Sequence, residues 1–285
     1  MLHIKVNATS ANVCVGFDTL GLALDLANDF TFEKSNEFSF VGFENEYCNT
    51  SNNLVYDAYK KVFELLGKKL IPVKIGYKGE IPVSRGLGSS SSLIVAGVFA
   101  ANHMLGNILT KNELFDICAK MEGHPDNVAP AIYGGLIASY KKNNSFIPNS
   151  FNVNKDLVFI VAIPKYKLTT KSARAVLPKS LSYADAVNNV SRIINLPKAF
   201  NDGDINLLLD LFEDKLHEPY RGTLIKEYPT IKQICKDNLV PMAISGSGST
   251  MLIISKNKEI ISKINHLNVD IKVLNIGDGV RIWED

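Results

Sequence analysis

No Cys-x-x-Cys pair occurs in this chain, and its four cysteines, Cys14, Cys48, Cys118 and Cys235, are widely scattered with no histidine partner at zinc-finger spacing. That pattern excludes a disulfide framework and a structural zinc centre, and reads as reduced thiols of a cytoplasmic protein. Long apolar runs are missing as well. The longest, Leu93 to Ala101, is about half of the ~20 residues a membrane crossing needs. Charge of one sign is equally scarce, with 31 Lys+Arg against 29 Asp+Glu, so nothing favours nucleic acid or an anionic membrane as partner. Met1 to Val6 alternates like a strand and lacks the charged-then-apolar order of a signal peptide.

What is there is ordinary globular composition, 46% hydrophobic and 21% charged. A chain of 285 residues is long for one core, which predicts two lobes, residues 1–154 and 155–285. Leu20, Leu22, Leu24 and Leu26 alternate, Asn28-Asp29 supplies a turn, and Phe30 and Phe32 resume the alternation, a hairpin signature. Further strands are expected near Phe38 and Phe40 and at Val73, Ile75 and Tyr77. Val55, Tyr59, Val62 and Leu66 share a helical face, with Asn52 or Asn53 as N-cap, and Thr110 with Glu113 forms a capping box for a helix ending at Gly123. The polar stretch Lys141 to Asn154 is the expected linker. Beyond it come a strand at 157–163, helices near 182–195, 204–216 and 225–237, two strands flanking Ser245 to Thr250, a helix near 256–266 and a strand at 271–276. That is the split βαβ order of a ferredoxin-like domain.

The segment Pro82, Val83, Ser84, Arg85, Gly86, Leu87, Gly88, Ser89, Ser90, Ser91, Ser92, followed at once by an apolar helix-period run, is built to hold phosphate. Glycines let the backbone turn tightly and approach an anion, while the serines offer amides and hydroxyls where a helix begins and its dipole is positive. The lysine of a Walker A loop is absent, and Gly-x-Gly-x-x-Gly is not completed. Triphosphate charge must then be met by amides, hydroxyls and a divalent ion. Magnesium takes hard oxygen ligands, and Glu122, ending a helix just before the polar turn His124 to Asn127, is the best carboxylate for it. Residues Thr9 to Gly21 crowd hydroxyls, Asn12 and Asp18 into one turn. Asp18 there either caps its own loop or grips a substrate ammonium or hydroxyl. His3, His103, His217 and His266 lack second ligands at metal spacing and read as packing or surface residues.

Three segments together, Asn12 to Gly21, Pro82 to Ser92 and Ser245 to Thr250, resemble the signature motifs of the GHMP kinases. Ala11-Asn12 with Gly16 to Gly21, His124 to Pro130 and Thr170 to Arg174 are similar to the homoserine kinase family within it. The resemblance spans nearly the whole chain. It implies an α+β, two-domain GHMP kinase architecture, with an N-terminal lobe shared with a ribosomal-protein domain and a C-terminal ferredoxin-like lobe. It also implies ATP and Mg2+ as cofactors, L-homoserine as substrate and a homodimer. The glycine-serine loop would wrap the ATP phosphates, with Ser90 and Glu122 on magnesium and Asn53 against adenine. Asn12, Asp18, His124, Arg174 and Arg221 would bind homoserine, the two arginines toward its carboxylate. Thr170 and Asn127 would line the pocket near the transferred phosphate. Where some relatives place an aspartate base, this chain has Asn127, which implies catalysis by positioning, with Asp18 as the fallback base. Asn7, Cys14 and Ser249 depart from the pattern. Two rivals remain: a GHMP kinase for a mevalonate-like or sugar substrate, and a non-catalytic nucleotide or RNA-binding module.

Overall fold

The computed structural model describes residues 1–285. Two sheets organise it. The first contains β1 (Leu2–Ala11), β2 (Leu20–Lys34), β3 (Ser39–Val41), β4 (Val73–Gly79), β5 (Leu136–Lys142), β6 (Ser145–Phe151) and β11 (Arg281–Glu284). Its path runs β11-β1-β2-β4-β3, with β5 pairing the other end of β2 and β6 pairing β5. The second sheet, β7 (Val158–Pro164), β8 (Met242–Ile244), β9 (Met251–Ser255) and β10 (Val269–Leu274), has the antiparallel order β10-β7-β9-β8. That is the ferredoxin-like arrangement anticipated from the element order.

The helices form where local signals place them. Asn53 caps α1 (Leu54–Leu65), its Oδ1 accepting the Tyr56 N–H. Thr110 and Glu113 close both halves of the capping box of α3 (Lys111–Glu122), and Gly123 ends it in the left-handed region. Between them lies α2 (Ser89–Met104), whose first turn is made of the serines themselves. These three helices and α4 (Val128–Tyr133) cover the first sheet through Val55, Tyr59, Val95, Phe99, Phe115 and Ile132. A second core joins the lobes: Leu20, Leu22 and Leu24 of β2 meet Phe159 and Val161 of β7, Leu252 of β9, and Leu196 and Phe200 of α6 (Tyr183–Asp202). Behind the second sheet pack α9 (Tyr228–Asp237) and α10 (Ile261–Ile264). Three short helices complete the chain: α5 (Thr170–Ala175), α7 (Ile205–Leu211) and α8 (Glu218–Arg221).

Four local expectations are corrected. Asn28-Asp29 is not a turn, because β2 continues through it and the Asn28 side chain bonds at long range. Its Oδ1 accepts the Glu80 and Ile81 amides at 2.9 and 3.0 Å and its Nδ2 donates to Ser92 Oγ at 2.9 Å. The register against β1 shifts there, Asn7 pairing Ala27 and Ala8 pairing Leu24, while the even-numbered side chains of β2 keep one alternation throughout, with Asn28 in an apolar slot. Residues 141–154 are not a linker; β5 and β6 form a hairpin there, with Asn143 at φ 55° in the turn. Its outer face is exposed, which is why it reads as polar. The helix expected at 256–266 shrinks to α10, and that expected at 204–216 stops at Leu211. The last strand, β11, returns to pair with β1 in the first sheet. No helix is long and apolar enough to cross a membrane.

Candidate active site

A cavity of about 830 Å3 opens where the two lobes meet. All three motif segments reach it, and they are tied to one another by hydrogen bonds. The Thr9 amide donates to Leu87 O, the Gly246 amide to Ala11 O and the Thr250 amide to Arg85 O. Ser245 Oγ donates to Gly86 O at 2.6 Å. The two glycines of the loop are demanded by these contacts. A Cβ on Gly86 would lie 2.2 Å from Ser245 O, and one on Gly88 would lie 2.0 Å from Thr9 Oγ1. Both also have positive φ, as does Ser84.

At Gly88 the chain enters α2 without a side-chain cap, and the first intrahelical bond runs from the Ser92 amide to Gly88 O. The amides of Ser89, Ser90 and Ser91 are therefore the orphan donors of the helix start, at its positive dipole end. Pro82, Val83, Ser84, Arg85, Gly86, Gly88, Ser89 and Ser90 line the cavity. Three of the expected phosphate-loop residues do not. Leu87 is in the core, Ser92 is buried and bonds Ser89 O, and Ser91 turns its hydroxyl to Glu122. The Arg85 guanidinium points the other way, donating to Pro164 O and Lys165 O and so pinning the loop to the second lobe.

Glu122 also lines the cavity, and its Oε1 accepts from Ser90 Oγ at 2.6 Å and Ser91 Oγ at 2.9 Å. Its Oε2 has no protein donor. One carboxylate and one hydroxyl beside a row of orphan helix-start amides is a donor set that suits magnesium, which prefers few protein ligands when phosphates and water supply the rest. No cluster of three or more acidic, histidine or cysteine ligands exists to hold a metal by protein alone.

At the opposite end, four residues of the first turn, Asn12, Val13, Cys14 and Asp18, have positive φ. Asn12 stitches this turn, accepting the Asp18 amide on Oδ1 and donating from Nδ2 to Gly246 O. Asp18 and Arg174, expected to meet different ends of a substrate, are bound to each other: Nη1 to Oδ2 at 3.0 Å and Nη2 to Oδ1 at 2.8 Å. Arg221 is buried and donates to two carbonyl oxygens, Gly246 O and Ala173 O. Its charge is thus oriented without a bonded carboxylate, and burial followed by the nearby Arg174 charge pulls its pKa down. Both guanidinium groups lie over the Phe17 ring, at 5.9 Å for Arg174 and 5.1 Å for Arg221. Asn127 Oδ1 accepts the Thr9 hydroxyl at 2.8 Å, and Thr170 lines the wall near Arg174. Asn53 reaches the cavity, but both polar atoms of its side chain are engaged, with Tyr56 N and Tyr47 O.

Asp126 was not anticipated. It is almost fully buried and bonds His124 Nδ1 at 2.6 Å. Burial pulls the His124 pKa down, but the hydrogen bond and charge of Asp126, with Glu122 behind, outweigh it and leave the pKa raised. A raised folded pKa stabilises fully below the unfolded value, about 6.5, and that stability is lost as pH rises through the folded value. Melting temperature measured in EDTA should therefore decline above about pH 6.5, and Asp126→Asn should flatten the decline. A variant profile parallel to that of the parent rejects the pairing. The sequence did hold a cue, since Asp126 stands between His124 and Asn127. Phe43, Tyr47 and Tyr77, which form an aromatic wall of the cavity, lie on no shared sequence period and only tertiary placement reveals them.

The GHMP kinases N terminal domain family model matches residues 53–135. Homoserine kinase of Clostridium botulinum (strain Kyoto / Type A2) is 41% identical over 261 residues, 91% of this chain and 88% of that protein. Homoserine kinase of Clostridium acetobutylicum is 40% identical over 292 residues, covering 100% of this chain and 96% of the other. The crystal structure of homoserine kinase from Cytophaga hutchinsonii superposes with a TM-score of 0.87 at 26% identity, covering 99% of this chain and 97% of that one. Likeness of this kind, in sequence and in fold and over nearly the full length, means that the chain belongs to the GHMP kinase family, on its homoserine kinase branch.

Proposed function

We propose that the protein transfers the γ-phosphoryl group of ATP to the side-chain hydroxyl of L-homoserine, giving O-phospho-L-homoserine on the route to threonine. One observation carries the reading: the orphan amides at the start of α2, Glu122, and the Asp18, Arg174 and Arg221 group all open into the same cavity. The amides hold the phosphates. Glu122 and Ser90 would hold magnesium, which would supply charge neutralisation at the phosphates.

Homoserine is a zwitterion, and the Asp18–Arg174 pair is its mirror. The two side chains are 36% and 38% exposed, so their mutual attraction is worth only about 0–1 kcal/mol. An incoming ammonium group takes Asp18 and an incoming carboxylate takes Arg174 and Arg221, exchanging one ion pair for two. The hydroxyl is then left facing the phosphate loop. Phosphoryl transfer asks mainly for alignment and charge stabilisation. Asn127 cannot act as a base, and Asp18 is occupied, so positioning does the catalytic work. Asn127→Ala should keep measurable turnover in a coupled assay; a fall to the uncatalysed rate contradicts this mechanism.

The reading is tested by ATP consumption with magnesium across homoserine, mevalonate, galactose, serine and threonine. Homoserine should give the highest kcat/KM. Mevalonate has a carboxylate but no ammonium group, and galactose has neither. Comparable turnover of either would overturn the assignment.

A further inference from the structure

The chemistry above leaves unused a buried polar group beneath the pocket: Asp214, His217, Glu218 and Asn189, each at most 5% exposed. None of the four lines the cavity. Asp214 organises the group, its Oδ2 accepting the His217 and Glu218 amides at 2.7 and 2.8 Å and its Oδ1 accepting from Asn189 Nδ2 at 2.6 Å. From this base two arms reach up. His217 Nε2 lies 2.8 Å from Cys14 O, and Glu218 Oε1 accepts the Ile244 amide at 2.6 Å.

Each arm ends beneath a segment that a substrate would touch. Cys14 sits in the turn of Asn12, Val13 and Cys14, where φ is 69°, 40° and 64°. Non-glycine residues hold such a conformation only when their surroundings over-determine it. Here the surroundings are His217 on Cys14 O and Asn189 Nδ2 on Val15 O at 3.3 Å. Ile244 is the last residue of β8, directly before Ser245 and Gly246, and Gly246 O is the shared acceptor of Asn12 and Arg221.

A carbonyl oxygen can only accept, so His217 Nε2 donates to Cys14 O, and the other ring nitrogen, Nδ1, is buried without a partner. An unpaired buried polar atom costs stability, and an apolar side chain of similar size would avoid that cost. Packing alone therefore does not account for the imidazole. The ring also stacks on Phe17, centroids 5.4 Å apart, the same ring that underlies both arginines.

We infer that His217 and Glu218 are positioning residues for the amino-acid end of the pocket: His217 locks the left-handed turn that presents Asn12 and Asp18, and Glu218 locks the turn that presents Gly246 and orients Arg221. The inference rests on the homoserine reading. Failure of the parent enzyme to use homoserine would sink that reading, whereas variants that behave as the parent does in an active enzyme would sink only the inference.

The test pairs a variant that keeps the donor with one that removes it. The Gln Nε2 can replace His Nε2 toward Cys14 O, and Leu cannot. In the full-length enzyme His217→Leu should raise the homoserine KM by about tenfold or more, while His217→Gln stays within about threefold and the ATP KM stays within about twofold in both. A residue that served stability alone would affect both substrates together and track the melting temperature. Equal homoserine KM values for Gln and Leu, or an ATP KM rising in step, overturn the proposal. Should His217→Leu yield no folded protein, Tyr228→Phe decides. It deletes one hydroxyl donor, 3.1 Å from Glu218 Oε2. It should raise the homoserine KM by about threefold with the ATP KM unmoved, and an unchanged homoserine KM overturns the proposal as well.

Discussion

Glu122→Gln is expected to lower kcat on the order of 100-fold, the scale on which a single electrostatic stabiliser of a transition state acts. The substitution is nearly isosteric. The amide oxygen still accepts from Ser90 or Ser91, which bond Oε1 now, so α3 and the phosphate loop keep their places. What is lost is one negative charge beside the loop, and with it the pull on a divalent ion. Rates measured against magnesium concentration should show the half-saturation point moving up, while homoserine binding measured by calorimetry without ATP stays as it was. Near-normal turnover at ordinary magnesium would remove Glu122 from the metal site.

Arg174→Ala should raise the homoserine KM by about 10- to 100-fold, since a hydrogen bond to a charged group is worth about 1.5–3 kcal/mol, with a smaller change in kcat. The guanidinium is one of two that face the pocket, and its planar fork fits a carboxylate in a way a point charge does not, so Arg174→Lys should restore little. Removing it also releases Asp18, which it holds bidentately. The double variant with Asp18→Asn should then be less impaired than the sum of the singles, because the two residues share one interaction. Steady-state kinetics on the four proteins measures this. An unchanged homoserine KM in Arg174→Ala would take the residue out of the pocket, and strict additivity would deny the pairing.

The fate of individual residues shows which signals travel in sequence. Gly86 and Gly88 were legible as a tight turn because backbone stereochemistry is local, although the atoms that exclude a Cβ there belong to Ser245 and Thr9. Thr110, Glu113 and Asn53 were legible because a cap involves residues three apart. Asn28 misled for the complementary reason. Asparagine favours turns by bonding its own backbone, but here it bonds Glu80, Ile81 and Ser92. His217 looked like a packing residue, and nothing in its neighbourhood in the chain could reveal that it reaches Cys14.

By itself, then, the order of residues determined the split βαβ order of the second lobe, the glycine-serine turn with its helix start, and most of the charged and polar side chains that gather at the cavity. Only the tertiary structure decided which of them face the cavity, that Asp18 and Arg174 neutralise each other, that Ser91 and Ser92 serve the scaffold, and that Asp214 and His217 brace the turn from below. Backbone preferences and caps act over a few residues and leave a readable pattern. A hydrogen bond between residues 156 or 203 positions apart exists only because two sheets and their shared core bring them together, and no local pattern encodes that distance.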